Sequence, residues 1–215
     1  MKSIYRILKT FLNPKLAFTL IAYGSGGYFF EIGWVASFIN KKPVDKSGKA
    51  LPWVTYPFID FISDRLNRGM KLFEYGSGNS TIFYAERVGS ITSVEHDKGW
   101  YEHVNKQLPR NATLIYESFS KGSNYYSTAF TQLEKFDIII VDGVDRVNCI
   151  ISSVGVLAID GVIVLDDSER EIYDEAIDFL NEKGFKRLDF WGISPGFFYK
   201  KCTSIFYRKD NCLSL

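Results

Sequence analysis

The chain has 215 residues, of which 46% are hydrophobic, and this length and composition suit one folded domain with a substantial core. Twenty-six basic against 25 acidic residues leave a formal net charge of +1, which excludes the global basic field that nucleic-acid binding generally requires. The cysteines Cys149, Cys202 and Cys212 are odd in number and widely spaced, so they indicate neither a disulfide framework nor a zinc site, and a reducing cytoplasm fits best.

The first segment, residues 1–50, differs in its residue pattern from the rest of the chain. Basic residues precede an apolar run over 16–23, which is too short to span a bilayer. Pro14-Lys15 and the lack of a small-residue cleavage site argue against a signal peptide. We expect a helical arm that covers the domain at 51–215, contributes to a homodimer, or touches a membrane surface through Tyr5, Leu8, Phe11 and Leu12.

After this arm, apolar runs and amphipathic segments alternate, which is the signature of a parallel sheet flanked by helices. Helices are predicted from Pro57 and over 80–88, 98–108, 145–159 and 172–183. The predicted strands are 71–75, 90–95, 113–116, 136–141, 162–165, 185–191 and 203–207. Most of these strands are short and apolar throughout, as expected for strands buried on both faces of an open, doubly wound α/β sheet.

A glycine turn follows the first predicted strand. Gly76 and Gly78 allow backbone angles that are closed to other residues and let a ligand approach the bare backbone. The next helix is expected to begin near Asn79 or Ser80, both good N-cap residues, so its free N–H groups point back at the turn. This arrangement is typical of a binding site for an adenosine-bearing cofactor.

An acid, Glu95, ends the second predicted strand roughly 20 residues beyond the glycines, where the dinucleotide fold places a ribose-binding carboxylate. Thr81 stands where the third glycine of the dinucleotide motif would be, and Glu74 comes two residues before the turn. Both departures argue against NAD.

Together the acid-x-Gly-x-Gly turn and the second-strand acid resemble the class I S-adenosylmethionine-dependent methyltransferases, over roughly residues 57–208. The resemblance implies a Rossmann-like, mostly parallel sheet of seven strands with the last antiparallel. It implies that S-adenosylmethionine is the cofactor, with Glu95 on its ribose and Glu74 near its amino group. The remaining cofactor contacts implied are Gly76, Ser77, Gly78, Ser80 and Thr81 at the turn, His96 and Glu117-Ser118 near the adenine, and Asp142 near the methyl group. A surface position remains open for His96 and for Glu117-Ser118.

Acidic residues also follow the fourth and fifth predicted strands. Asp142 comes after one and Asp166-Asp167 after the other, so three carboxylates converge if the strands are neighbours. Such a cluster must bind a cation, share a proton, or pair with Arg146 or Arg170. It resembles the ligand set of metal-assisted O-methyltransferases, which implies that Asp142, Asp166 and Asp167 hold Mg²⁺ or another divalent cation.

We therefore expect methyl transfer to a hydroxyl of a small molecule or glycan, with Asp142 and Arg146 as the catalytic residues and metal assistance as an option. Arg146 would bind an anionic acceptor or neutralise the acids. Two alternatives stay open: a noncatalytic cofactor-binding or assembly module, and an enzyme that binds NAD or a nucleotide sugar. The acceptor, the oligomeric state and the role of the arm are not specified by these patterns.

Overall fold

The computed structural model describes residues 9–10, 12–120 and 123–215. From Asn13 to Asn40 the N-terminal arm contains the helices α1 (Pro14–Ser25), α2 (Tyr28–Glu31) and α3 (Trp34–Asn40). The predicted membrane contacts Tyr5, Leu8 and Phe11 lie outside the described residues, whereas Leu12 is exposed. None of the helices in the described part of the chain is both long enough and apolar enough to cross a membrane.

The helix α1 buries none of its residues, whereas α3 forms hydrogen-bonded contacts. The indole Nε1 of Trp34 donates a hydrogen bond of 2.8 Å to the carbonyl of Phe197, which lies in the loop before the last strand. Ser37 is buried and donates to the carbonyl of Val44 over 2.7 Å. The arm therefore lies beside the loop over 193–200.

The domain alternates strands and helices in the predicted order. Its strands are β1 (Lys71–Tyr75), β2 (Ser90–Glu95), β3 (Ala112–Tyr116), β4 (Phe136–Val141), β5 (Leu157–Asp166), β6 (Lys186–Gly192) and β7 (Lys201–Tyr207). Its α-helices are α4 (Tyr56–Ser63), α5 (Asn79–Ala85), α6 (Lys98–Asn105), α7 (Arg146–Ser153) and α8 (Asp174–Glu182), with 3₁₀-helices at Tyr125–Gln132 and Glu171–Tyr173.

All seven strands form one sheet in the order β3-β2-β1-β4-β5-β7-β6. The first five pair in parallel, and β7 runs antiparallel to both β5 and β6. This topology confirms the predicted doubly wound sheet of seven strands with an antiparallel last strand. It also brings the carboxyl ends of β1, β2, β4 and β5 to one edge, where β7 begins.

Two apolar layers cover the sheet because successive strand residues point to opposite faces. Phe73 and Tyr75 of β1 belong to the cluster on one face, and Leu72 belongs to the cluster on the other. Burial on both faces explains why the central strands are apolar throughout. In this sheet an acid such as Glu74 requires hydrogen-bond partners.

The predicted helix over 145–159 was too long, since α7 ends at Ser153 and β5 already begins at Leu157. The amide of Phe136 donates to the carbonyl of Val156 over 3.0 Å, and Leu157 pairs with Phe136 at a register shift. Long-range pairing with β4 thus overrides the helical appearance of this apolar run. Similarly, β7 begins at Lys201 rather than at residue 203.

Candidate active site

A cleft of about 470 Å³ opens at the carboxyl ends of the central strands. It brings together most of the residues that the sequence singled out, from β1, β2, β4 and β5. Its described lining comprises Trp53, Glu74, Gly76, Ser77, Ser80, Glu95, His96, Asp97, Trp100, Asp142, Gly143, Val144, Asp166, Asp167, Phe197, Tyr199 and Lys201. The cleft therefore has a glycine-turn half beside β1 and β2 and an acidic half beside β4, β5 and β7.

The glycine turn requires glycine at both positions. Gly76 has φ = 102° and Gly78 has φ = 152°, which side chains rarely adopt. A Cβ atom on Gly76 would also lie 3.3 Å from the amide nitrogen of Gly143. The N-cap of α5 is Gly78, not Asn79 or Ser80 as predicted; the Asn79 side chain instead donates to the carbonyl of Pro43 over 2.7 Å.

The buried acid before the turn is held by hydroxyl groups. Glu74 is 1% exposed, and its Oε2 accepts hydrogen bonds from Thr81 Oγ1 at 2.6 Å and Ser93 Oγ at 2.7 Å. The same Thr81 hydroxyl accepts from the amide of Gly78 at 3.1 Å. Burial raises the pKa of the Glu74 carboxyl above its ordinary value, in opposition to these hydrogen bonds. Thr81, which replaces a motif glycine, thus ties the acid to the turn.

The second-strand acid is oriented by its own loop. Glu95 is buried, its Oε2 accepts from Ser77 Oγ at 2.8 Å, and its Oε1 accepts from the amides of His96 and Asp97 at 2.8 and 2.9 Å. All these partners are neutral N–H or O–H donors. Such a fixed carboxylate at the cleft wall can accept further hydrogen bonds from a polyhydroxylated ligand.

The predicted adenine contacts are placed differently from one another. His96 lines the cleft, with its Nδ1 atom 3.0 Å from Glu95 Oε1. Glu117 and Ser118 are not among the described residues of the cleft wall. The amide of Glu117 donates to the carbonyl of Glu95 over 3.0 Å, and its side chain borders a separate depression beside Asn124. An adenine contact by Glu117 or Ser118 stays a prediction.

The acidic half contains a buried lysine that the sequence reasoning missed. Lys201 is 4% exposed, and its ammonium group pairs with Asp166 Oδ2 and, at 2.7 Å, with Asp167 Oδ1. It also donates to the carbonyl of Trp53 over 3.3 Å. The other oxygen of Asp166 accepts from Thr203 Oγ1 at 2.7 Å. A lysine at the start of a strand antiparallel to β5 is the signal that could have revealed it.

Arginines neutralise the remaining carboxylates. Arg146 Nη2 lies 2.9 Å from Asp142 Oδ1, and its Nη1 lies 3.4 Å from Asp167 Oδ2. Arg170 Nη2 lies 2.7 Å from the same Asp167 oxygen. Of the two alternatives for Arg146, neutralisation of the acids is the one observed.

The predicted metal ligands do not form a metal site in this arrangement. Asp142, Asp166 and Asp167 direct their oxygens at lysine and arginine nitrogens. Within residues 9–10, 12–120 and 123–215, no group of three or more His, Cys, Asp or Glu side chains is placed to hold a metal ion. The expectation of a divalent cation is therefore not supported by the donor set.

Burial and neighbouring charges shift the pKa values of Asp142 and Lys201 in the acidic half. Burial and the neighbouring Asp166 carboxylate raise the pKa of Asp142 to about 7, against the opposing effect of Arg146 and Lys201. Burial alone would lower the pKa of Lys201, but Asp166, Asp142 and Asp167 outweigh it and raise that pKa. Lys201 is thus a permanent cation, whereas Asp142 can exchange a proton near neutral pH.

Gly143 joins the two halves of the cleft, and its importance was also missed. A Cβ atom there would clash with the Tyr125 hydroxyl and would lie 3.0 Å from the amide nitrogen of Gly76. The Tyr125 hydroxyl is buried without a hydrogen-bond partner among the described residues. The signal was the Asp-Gly pair at the end of β4, which was interpreted only through its aspartate.

Aromatic side chains surround the mouth of the cleft. Trp53 and Trp100 are 40% and 43% exposed, and Tyr199 is 51% exposed. Trp100 Nε1 donates to the carbonyl of Ser77 over 2.9 Å, and Trp53 Nε1 donates to the carbonyl of Pro195 over 2.9 Å. These hydrogen bonds fix both indole rings at the mouth.

No family model and no curated protein matches the chain. Solved structures do. Precorrin-6y C5,15-methyltransferase from Geobacter metallireducens superposes with a TM-score of 0.56 at 16% identity, over 71% of this chain and 87% of that chain. An rRNA methylase from Streptococcus thermophilus superposes with a TM-score of 0.56 at 14% identity, over 73% of this chain and 99% of that chain.

A Streptococcus mutans protein in complex with S-adenosylhomocysteine gives a TM-score of 0.53 at 14% identity, over 69% of this chain and 94% of that chain. At these identities the likeness concerns the fold, and together with the strand order it confirms the fold expected from the glycine turn and Glu95. The chain has the fold of the class I S-adenosylmethionine-dependent methyltransferases.

Proposed function

We propose that this protein is an S-adenosylmethionine-dependent methyltransferase that methylates a hydroxyl oxygen of a small molecule or glycan. One observation carries the proposal: the glycine turn, Glu95 and Asp142 line a single cleft at the carboxyl ends of the central strands. In this fold class, ligands lie at that edge of the sheet. Bound S-adenosylmethionine supplies an electrophilic sulfonium methyl group there.

The glycine-turn half fits such a cofactor. The positive φ angles of Gly76 and Gly78 leave the turn backbone open to close approach. Glu95, preoriented by Ser77 and two amides, would accept hydrogen bonds from the ribose hydroxyls. We propose that Glu74 reaches the cofactor's amino group and that His96 lies against the adenine. Ser80 and Thr81 would support the turn from the start of α5.

Asp142 is the proposed general base. Its side chain is 25% exposed, it lines the cleft, and its raised pKa, to about 7, matches proton transfer near neutral pH. It would accept the hydroxyl proton of the acceptor as the oxygen attacks the methyl carbon in line, with the bond from that carbon to sulfur breaking and S-adenosylhomocysteine leaving. Arg146 holds one carboxylate oxygen at 2.9 Å and so positions Asp142 without contacting the acceptor.

The rim of the cleft favours an acceptor with a ring. Trp53, Trp100 and Tyr199 present partly exposed faces, on which a sugar or an aromatic ring can pack while its hydroxyl points to Asp142. Trp34 bonds to the loop that carries Phe197, so the arm borders this rim. The cytoplasmic location, the absence of a nucleic-acid partner, a homodimer and a membrane-surface contact remain predictions.

No step of the proposed reaction passes through a divalent ion, because protein cations already contact Asp142, Asp166 and Asp167. Positioning and a base are sufficient for attack on a sulfonium methyl group.

Calorimetric titration with S-adenosylmethionine and S-adenosylhomocysteine, run beside NAD and UDP-glucose, tests the cofactor assignment. We expect micromolar binding of the adenosyl pair alone. Binding only of NAD or UDP-glucose, or of none of the four, would contradict the proposal. A screen of sugar and phenol acceptors then follows product S-adenosylhomocysteine, with Asp142→Asn as the inactive reference that retains cofactor binding. An active Asp142→Asn variant would exclude Asp142 as the base.

A further inference from the structure

Lys201 occupies the centre of the acidic half. Its ammonium group contacts one carboxylate oxygen each of Asp166 and Asp167 and the carbonyl of Trp53. It donates hydrogen bonds to Asp166 Oδ2 and to the Trp53 carbonyl, whereas Asp167 Oδ1 lies 2.7 Å away as an ion-pair partner that accepts no hydrogen bond within the described residues. The arrangement is a positive charge surrounded by oxygen atoms at the end of β5.

A hard divalent cation would use oxygen ligands of the same kind, from carboxylates and a backbone carbonyl. Lys201 arrives from β7, whose antiparallel pairing places Thr203 opposite Asp166. Arg146 contacts Asp142 Oδ1, and Arg146 and Arg170 both contact Asp167 Oδ2, the oxygen of Asp167 that Lys201 does not contact. A metal ion and the Lys201 ammonium group would compete for the same oxygens.

We infer that Lys201 is a built-in replacement for a divalent ion, so that this cleft works without metal and acquires a metal site when the lysine is removed. The inference builds on the proposed methyl transfer for its functional meaning. The positive charge that pairs with Asp166 and Asp167 is thus covalently attached to the chain. Lys201 is a positioning residue, since its donors contact protein oxygens.

The test is titration of the protein with Mn²⁺, followed by calorimetry and by the loss of the free-ion electron paramagnetic resonance signal. We expect no saturable site in the wild-type protein. Lys201→Ser should gain a one-to-one site, tighter than any wild-type binding by at least about tenfold, because two buried carboxylates lose their cation. Lys201→Arg, which keeps the charge, should gain none. The double variant Lys201→Ser with Asp166→Asn should lose the gained site.

Two results would overturn the inference. One is a folded Lys201→Ser variant, checked by circular dichroism, that binds Mn²⁺ no better than wild type. The other is a saturable wild-type site that Asp166→Asn removes, and this measurement does not depend on whether any lysine variant folds. A protein that fails to bind S-adenosylhomocysteine can still be titrated with Mn²⁺. Titrations with and without S-adenosylhomocysteine therefore test this inference separately from the proposed function.

Discussion

The two halves of the cleft stabilise their carboxylates by different means. In the glycine-turn half, Glu74 and Glu95 accept hydrogen bonds from hydroxyl groups and backbone amides. In the acidic half, Asp166 and Asp167 form ion pairs with Lys201, Arg146 and Arg170. Each half buries two acids, but only the acidic half surrounds them with full positive charges.

The difference separates the proposed roles of the halves. Neutral donors leave the carboxyl oxygens of Glu74 and Glu95 without a protein cation, so a ligand with hydroxyl and ammonium groups can supply further donors, as the proposed cofactor would. Ion pairs remove the charge of the acids in advance and fix their geometry, since a buried pair is costly to break. The acidic half is therefore a preformed wall. Asp142, at its border with the glycine turn, has its pKa raised to about 7 and lines the cleft.

The largest expected effect is the loss of the Lys201 charge. Lys201→Met leaves Asp166 and Asp167 buried without their shared cation, and we expect the free energy of unfolding to fall by about 3–5 kcal/mol. Urea denaturation measures it. Lys200→Met is the matched control, because Lys200 is exposed beside Trp191 and should change stability by less than about 1 kcal/mol. Equal losses of stability in both variants would show that Lys201 contributes no more than an exposed lysine. That result would contradict the difference between the two halves of the cleft.

Removal of the second-strand acid should affect ligand binding rather than the ion-paired wall. Glu95→Ala deletes a charged acceptor of two ribose hydrogen bonds in the proposed complex, so affinity for S-adenosylhomocysteine should fall about 100-fold or more, by calorimetry. Glu102→Ala, an exposed acid on α6, is the control and should bind like wild type. Unchanged binding by Glu95→Ala would show that the ligand lies elsewhere.

The junction between the halves can be tested at Gly143. Gly143→Ala places a methyl group against the Tyr125 hydroxyl and the Gly76 amide, and we expect a stability loss of about 1–3 kcal/mol. Tyr125→Phe removes the clashing hydroxyl, so the double variant should regain part of the loss in thermal or urea unfolding. A double variant as unstable as the sum of both single variants would contradict a clash with that hydroxyl.

The last expected effect concerns pH. Burial and Asp166 raise the pKa of Asp142 from 3.8 to about 7, so the folded chain holds this proton more tightly than the unfolded chain. The contribution of Asp142 to stability is therefore full below about pH 4 and is lost as the pH rises to about 7. We expect a change with pH over this range in the stability difference between wild type and Asp142→Asn, measured by urea denaturation. Asp145→Asn, on the same loop, is the control variant.

The sequence predicted the glycine-turn half well because its parts are close along the chain. Gly76, Gly78 and Glu95 belong to one strand-turn-helix-strand unit whose local rules are strong, and β1, β2 and β4 begin and end at the predicted residues. In the acidic half the sequence predicted the acids and, as one option, their pairing with Arg146 or Arg170, but not Lys201. Their partner Lys201 lies 35 residues beyond Asp166 and reaches it only through antiparallel pairing of β7 with β5. Local patterns do not encode that register.

The place of Lys201 in the last strand also has a consequence for biosynthesis. A chain emerges from the ribosome at roughly 5–20 residues per second, so about 2–7 s separate the appearance of Asp166 from that of Lys201, 35 residues later. During this interval the nascent sheet can pair β1 with β2 and β4 but lacks the cation that allows Asp166 to be buried. Closure of the cleft is thereby deferred until translation has passed β7, and a ribosome that stalls earlier holds an incomplete protein with solvated acids.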